Sequence, residues 1–379
     1  MRALFGLIFK LQSAYYKRVG YPVVSRGRID APKRALLVYL SQGMNWREND
    51  PRLGWHQSLR QSRDLAHLLS ERGFRVDVVQ YEDSHFIPAR HYDLAIVHPG
   101  VVSRKFQAIP KTGVRICLRT GRHAAFVDSA MTERMARLHK RRGVVLDWAG
   151  SGETDEVYQG YDAIACFDGD GATSATFAAV GLPVFPFRNY PNPAIKFINK
   201  DFSKARSGFI CVVGHLHVMK GLDWLIEAFA DTPARHLYIC GKKSPELERL
   251  YERELAKPNI HFMGYLDHSS SGFQRLCQCS AWYVSPSASE GCQGTALDMM
   301  AAGVLPLLSG ACGVSLNGAG ILLDPCTPES LKTALDEADR MSNEELRGSS
   351  EKARINIELH YASRYFLSDW VHILDDIGV

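Results

Sequence analysis

Apolar, β-branched runs recur through the first half of the chain at 35–40, 74–79, 93–98, 114–118, 143–148 and 162–167, with polar, helix-forming stretches between them. Short apolar runs separated by amphipathic stretches are the pattern of a parallel sheet covered by helices. The stretch 55–72 sets Trp55, Leu59, Ala66, Leu68 and Leu69 at roughly helical spacing, closes on Gly73 and feeds straight into the run at 74–79. That predicts a βαβ unit.

Four prolines and two asparagines gather between 183 and 193, and 196–207 is polar and basic, so a domain junction is predicted near 190–207. A second series begins at 209–213, followed by Leu222, Leu225, Ile226 and Phe229 at the spacing of a helix with one buried stripe. Further strands are predicted at 236–240, 260–263, 281–285, 304–308 and 321–323. The closing stretch 362–377 places Tyr365, Phe366, Trp370, Ile373 and Leu374 on one helical face, which must pack against something. The reading is α/β, with two Rossmann-like, doubly wound domains facing each other across a cleft. A chain of 379 residues is long enough for two cores of this kind.

Composition adds little to the fold and something to the setting. Hydrophobic residues make up 46% and charged residues 23%, which argues against disordered and fibrous classes. The nine cysteines are scattered with no metal-ligand spacing, which fits a reducing cytoplasm. Net charge is only +4, and no nucleic-acid partner is expected. The charge is nonetheless uneven: Arg2, Lys10, Lys17, Arg18, Arg26, Arg28, Lys33 and Arg34 face a single acid, Asp30, in the first 34 residues. The opening run 1–11 is shorter than the roughly 20 apolar residues of a membrane span, and no small-residue cleavage site follows it. It fits either a helix docked on the first domain or a peripheral contact with an anionic membrane face.

The most informative segment runs Glu290-Gly-Cys-Gln-Gly294-Thr-Ala-Leu-Asp298, between a predicted strand and the glycine-proline pair Gly303 and Pro306. A helix opening at Gly294 turns unpaired amides and the positive end of its dipole toward whatever fills the turn, which favours a phosphate. One carboxylate can then face a sugar while the other accepts hydrogen bonds from a ribose diol. The alternative is an acidic helix start that only complements the dipole. Upstream, Gly214-His215-Leu-His-Val-Met-Lys220-Gly221 precedes the helix at 222–229. A fixed lysine there can stabilise a departing diphosphate, although a solvated helix-start lysine has the same local pattern.

These two segments together resemble the retaining glycosyltransferases of family 4 (group 1), which have the GT-B architecture. That family carries two glutamates with seven residues between them and a glycine-arginine-leucine segment ending in lysine-glycine. The resemblance covers about 208–335 and is much weaker before residue 190. It implies a transferase that moves a sugar from a nucleotide-diphosphate sugar to a glycan or lipid-linked acceptor hydroxyl with retention of configuration and no divalent metal. Lys220, Glu290 and His123 are then the catalytic group, His123 being one of several histidines near strand ends. Donor contacts fall to Gly43, Gly214, His215, Gly264, Tyr265, Gly291, Cys292, Gln293, Gly294, Thr295 and Asp298. This chain departs from the family pattern at His215, which replaces an arginine, and at Asp298, which replaces the second glutamate.

The resemblance further implies an acceptor-binding domain at 1–195, a nucleotide-sugar domain at 205–358 and a helix at 359–379 that returns to the first domain. Arg119 and Arg122 are candidates for an anionic acceptor, and the basic run 134–142 for a solvated face or an acceptor or membrane contact. Asp168-Gly-Asp170 looks like a metal-binding pair, but it sits where the family has a surface turn. An epimerase acting on a sugar nucleotide, and a degenerate transferase that only binds glycan or a partner, remain the competing readings.

Overall fold

The computed structural model describes residues 2–107, 113–146, 148, 150–214, 217–268 and 270–379. After helix α1 (Arg2–Val19) the first half forms β1 (Val24–Arg26), β2 (Lys33–Tyr39), α2 (Gln57–Glu71), β3 (Phe74–Gln80) and β4 (Leu94–Val97). It continues with α3 (Val101–Gln107), β5 (Val114–Arg119), α4 (Ala124–Arg142), β6 (Ala163–Phe167) and β7 (Val184–Phe187). These seven strands make one sheet in the order β1-β3-β2-β4-β5-β6-β7, parallel except for β1.

The second half opens with α5 (Phe202–Ala205), β8 (Gly208–Val213), α6 (Leu222–Ala230), β9 (His236–Gly241), α7 (Pro245–Leu250) and α8 (Glu252–Leu255). Next come β10 (Ile260–Gly264), α9 (Ser271–Cys279), β11 (Trp282–Ser285), α10 (Gly294–Ala301), β12 (Leu305–Ser309) and β13 (Ile321–Leu323). The last helices are α11 (Pro328–Arg340), α12 (Asn343–His360) and α13 (Ser363–Asp376). Its six strands run parallel in the order β10-β9-β8-β11-β12-β13. Parallel order with a switch between β8 and β11 opens a crevice at the carboxyl ends of those strands, the usual ligand position in such sheets.

Local chemistry explains the element ends. The imidazole of His56 accepts from the amide of Ser58 to start α2, and Gly73 leaves it at φ 86° before β3. Thr327 and Ser330 form a reciprocal capping box on α11, and Ser342 with Glu345 does the same for α12. Among the described residues of 143–148 the expected strand does not form. Gly143 is left-handed and terminates α4, whose last turn continues the helix through basic residues, and Val145 that follows is exposed. Conversely β1 and β7 were hidden, the second because the prolines at 183 and 186 read as junction. Pro186 is tolerated because β7 is the edge strand.

Two elements tie the halves together. Helix α13 returns to the first sheet: Trp370 is wholly buried with its ring 5.0 Å from that of Phe187, and Arg188 binds Asp369 through Nε at 2.8 Å. Burying an indole removes on the order of 200 Å² from water, worth roughly 5 kcal/mol before ordering costs are subtracted. Helix α4 crosses the other way, sinking Met131 and Leu138 into the core formed by Phe209, Trp224 and Trp282. Its basic run 134–142 is therefore divided: Arg134, Arg141 and Arg142 turn to the second half, while His139 and Lys140 stay exposed. The Arg134 guanidinium lies 3.4 Å from the Trp224 ring centre, while Arg141 and Arg142 pair with Asp223, Glu227 and Glu254.

Candidate active site

The loop after β8 delivers Lys220. Gly221 follows it at φ 73°, and a Cβ there would lie 2.7 Å from Cγ of Pro286, so only glycine lets this loop settle on the one after β11. In this packing the Lys220 ammonium forms an ion pair with Glu290 Oε1. The same carboxylate oxygen accepts from Ser287 Oγ at 3.0 Å and Gln293 Nε2 at 2.9 Å. Gln293 is itself fixed, donating to Ser285 Oγ and accepting from the Tyr283 hydroxyl. Glu290 is thus an acceptor held from three sides, a preorganised charge pair rather than a loose surface contact. The two side chains keep 21% and 15% of their exposure, enough to meet a ligand.

Glu290, with Met219 from the loop that carries Lys220, lines a cleft of about 320 Å³ between the two sheets. Met219, Ser289, Glu290 and Gly291 form the wall from the second half. From the first half, strand ends β4 and β5 contribute His98, Arg119, Thr120 and Arg122. The approach is close: a Cβ on Gly291 would lie 2.5 Å from the Thr120 carbonyl oxygen. Arg122 crosses the gap, donating to the carbonyls of Glu290 at 3.0 Å and Gly310 at 3.2 Å. Arg119 donates to Glu153 Oε2 at 2.9 Å. The wall thus carries two buried and already engaged arginines beside the carboxylates of Glu153 and Glu290.

The histidine in the cleft is His98, not His123. His123 caps α4 by accepting from the Ala125 amide, turns Nε2 to Asp155 at 2.9 Å, and stacks on Tyr158. All its polar capacity goes to structure, which corrects the expectation that it acts on a substrate. His98 donates through Nδ1 to the Pro99 carbonyl at 2.8 Å, which leaves Nε2 to accept from Thr120 Oγ1 at 3.2 Å. Burial, reinforced by the Arg119 charge and opposed by the Pro99 hydrogen bond, pulls its pKa down to about 4.

The remaining expected donor residues divide. Gly291, Cys292, Gln293 and Gly294 follow Glu290 into the start of α10, with Thr295 in its first turn. The amide of Gln293 is bound to the Cys312 carbonyl, and Cys292 is buried, its carbonyl accepting from Asn189 and its thiol pushed up to about 12 by burial. Of the amides expected to contact a donor, that of Gln293 is therefore already occupied.

Asp298 is 3% exposed and fully partnered: Oδ1 accepts from the Asn192 amide at 2.7 Å and Gln57 Nε2 at 3.2 Å, and Oδ2 from His268 Nδ1 at 2.6 Å. Gly43 is buried beneath Leu53 and Leu59 rather than open to the cleft, so tight packing explains that glycine. Gly214 follows β8 with open space beside it, and His215 lies outside the described residues. Gly264 ends β10 at φ 70°, and Tyr265 beyond it is 75% exposed. Asp168 accepts from the amides of Asp170, Gly171 and Ser174, a turn-forming role that accounts for its place in the sequence. Sequence reasoning missed Gln57, Asn189 and His268, which reach this site only through tertiary contacts.

Residues 208–338 match the family model described as Glycosyl transferases group 1. No curated protein sequence matches the chain. Among solved structures, sucrose-phosphate synthase from Thermosynechococcus elongatus aligns with a TM-score of 0.65 at 12% identity, covering 91% of this chain and 99% of that one. WaaG, a glycosyltransferase involved in lipopolysaccharide biosynthesis, aligns at 0.53 and 16%, covering 91% and 100%. TarM aligns at 0.53 and 15% over 74% of this chain, which spans only 54% of the TarM chain. Such identities speak for the fold alone, and the family match speaks for the domain that holds Lys220 and Glu290. The chain is a two-domain protein of the GT-B fold whose second domain, over residues 208–338, is similar to the family described as Glycosyl transferases group 1.

Proposed function

We propose that the cleft transfers a sugar from a nucleotide-diphosphate sugar to an acceptor hydroxyl with retention of configuration and without a divalent metal. The observation that carries this reading is the Lys220–Glu290 pair, set in the loops after β8 and β11, with Glu290 lining the interdomain cleft opposite Arg119 and Arg122. In the reaction Lys220 stabilises negative charge building on the leaving diphosphate, helped by the dipole of α10. Glu290 orients the sugar through its hydroxyls. The acceptor oxygen attacks from the face the nucleotide leaves, so the departing phosphate can take its proton, and positioning supplies much of the acceleration. Neutral His98 lines the acceptor side as a fixed dipole. The nucleotide base lies by Gly264 and Tyr265, and its ribose reaches Asp298.

Arg119 and Arg122 favour an anionic acceptor, such as a phosphorylated or lipid-linked glycan. A cytoplasmic enzyme working at the membrane face suits the basic first 34 residues. No helix among the described residues is long and apolar enough to cross a membrane.

A panel of UDP, GDP and ADP sugars, scored by nucleotide release with and without candidate acceptors, tests the reading. Release that depends on an acceptor supports it. Turnover of a sugar nucleotide in water alone points to an epimerase, and binding of none points to a non-catalytic partner subunit. That last reading draws on the occupied state of Asp298.

A further inference from the structure

Side-chain amides seldom sit across a domain gap on the first turn of a helix, yet Gln57 does so here. It stands at the start of α2 in the first half, and its Nε2 donates to the Gly294 carbonyl at 2.9 Å and to Asp298 Oδ1 at 3.2 Å. Its Oε1 accepts from Asn189 Nδ2 at 3.3 Å and presses against Gly294 so closely that a Cβ there would be 1.7 Å away. Gln293, the residue in the capping position of α10, gives the helix no side-chain cap because its amide is turned to Glu290 and Ser285. The first turn of α10 is instead covered by a side chain from the other half of the molecule.

We propose that Gln57 is the gate of the donor subsite, a neutral stand-in that occupies the ribose carboxylate and the helix start until a nucleotide displaces it. This rests on the reading of Asp298 and α10 as donor contacts. The chemistry of the amide suits the role. Its NH2 gives Asp298 the kind of donor a ribose diol would give, and its oxygen fills the space directly beside Gly294 at the helix start. At Asp298 the amide and a ribose diol are alike in being neutral donors, but a diphosphate adds charge at the helix start that the amide lacks, so the amide yields to a nucleotide. His268 and the Asn192 amide hold Asp298 in place throughout. A nucleotide therefore binds in competition with Gln57, and apparent affinity is lowered by the fraction of molecules in which the gate is shut.

The test measures UDP, GDP and ADP affinity by titration calorimetry on the wild type, Gln57→Ala and Gln57→Met, with hydrogen exchange of the peptide spanning 290–300 in each nucleotide-free protein. Alanine is well tolerated at a helix start, and methionine keeps the bulk without the hydrogen bonds. Expected are affinity tighter by about 5-fold or more in Gln57→Ala, a smaller gain in Gln57→Met, and faster exchange over the first turn of α10 in both. A fall in donor KM with kcat retained completes the pattern, because a merely structural glutamine would not move KM alone. Affinity unchanged or weakened in Gln57→Ala overturns the gate and leaves the donor reading standing. If none of the three proteins binds a nucleotide, the donor reading falls, and the gate falls with it as a donor device, whatever the exchange rates.

Discussion

The ammonium of Lys220 and the carboxylate of Glu290, seventy positions apart in sequence, form an ion pair whose acid lines the interdomain cleft. The packing around them fixes the pair. Gly221 permits the approach, and Ser287 and Gln293 hold the acid from behind. Such a pair is expected where charge must be fixed before a reaction begins.

Replacing Glu290 by Gln keeps its size and its acceptance from Ser287 while removing the charge. Turnover of the best donor is expected to drop by about 10²-fold or more, the loss typical of removing a preorganised polar group, with nucleotide affinity little altered. Steady-state kinetics beside calorimetry with the free nucleotide separate the two quantities.

His98 gives a pH signature. Its folded pKa of about 4 lies below the roughly 6.5 of an unfolded histidine. Between those values the unfolded chain binds a proton that the folded chain does not, so stability rises with pH through this window and is lost as pH falls from about 6.5 to about 4. The shift amounts to at most about 3 kcal/mol. His98→Asn should flatten the pH dependence of the unfolding free energy between pH 4 and 6.5 relative to the wild type, measured by urea titration at a series of pH values. Acidic residues titrate in both proteins and cancel in the difference.

Gly291→Ala tests the closeness of the two halves. The new methyl group would meet the Thr120 carbonyl at 2.5 Å, a backbone atom that cannot swing aside. The cleft must widen or the loop must shift, and since misplacement by about 1 Å can cost on the order of 10²-fold, activity should fall by that order while the circular dichroism spectrum is retained.

Arg134→Met tests the α4 strap. The guanidinium stacks on Trp224, donates to the Pro286 carbonyl at 2.5 Å, and lies buried, where desolvation lowers its pKa. Methionine retains some of the packing but none of the hydrogen bonding, and leaves the Pro286 carbonyl without this donor. A loss of about 2–4 kcal/mol is expected from denaturant unfolding, together with easier separation of the two halves under limited proteolysis.

The sequence was most readable where chemistry and local pattern coincide. The strands that precede Lys220 and Glu290 are short apolar runs, and both loops carry their residues at telling distances from a helix start. Legibility failed where a role is set by what lies across space. His123 and His98 follow strands in the same way, and only the positions of Asp155, Tyr158 and Thr120 tell the capping histidine from the one in the cleft. The basic run 134–142 reads as solvated because its acids, Asp223, Glu227 and Glu254, belong to the other half of the chain. Gln57 carries no local signal, since a glutamine in the first turn of a helix is ordinary until Asp298 is found beside it. Strand β7 was masked by Pro186, whose missing donor matters little at a sheet edge.

The most direct measurement of the central claim is the turnover of Lys220→Met on the best nucleotide-sugar donor, run with and without a metal chelator and with folding checked by thermal melting. The account predicts a fall of about 10²-fold or more in kcat, an intact melting transition, and wild-type turnover that the chelator leaves within about twofold, since the cation at the diphosphate is the lysine. Near wild-type turnover in Lys220→Met, or wild-type activity abolished by the chelator and restored by a divalent ion, would contradict it.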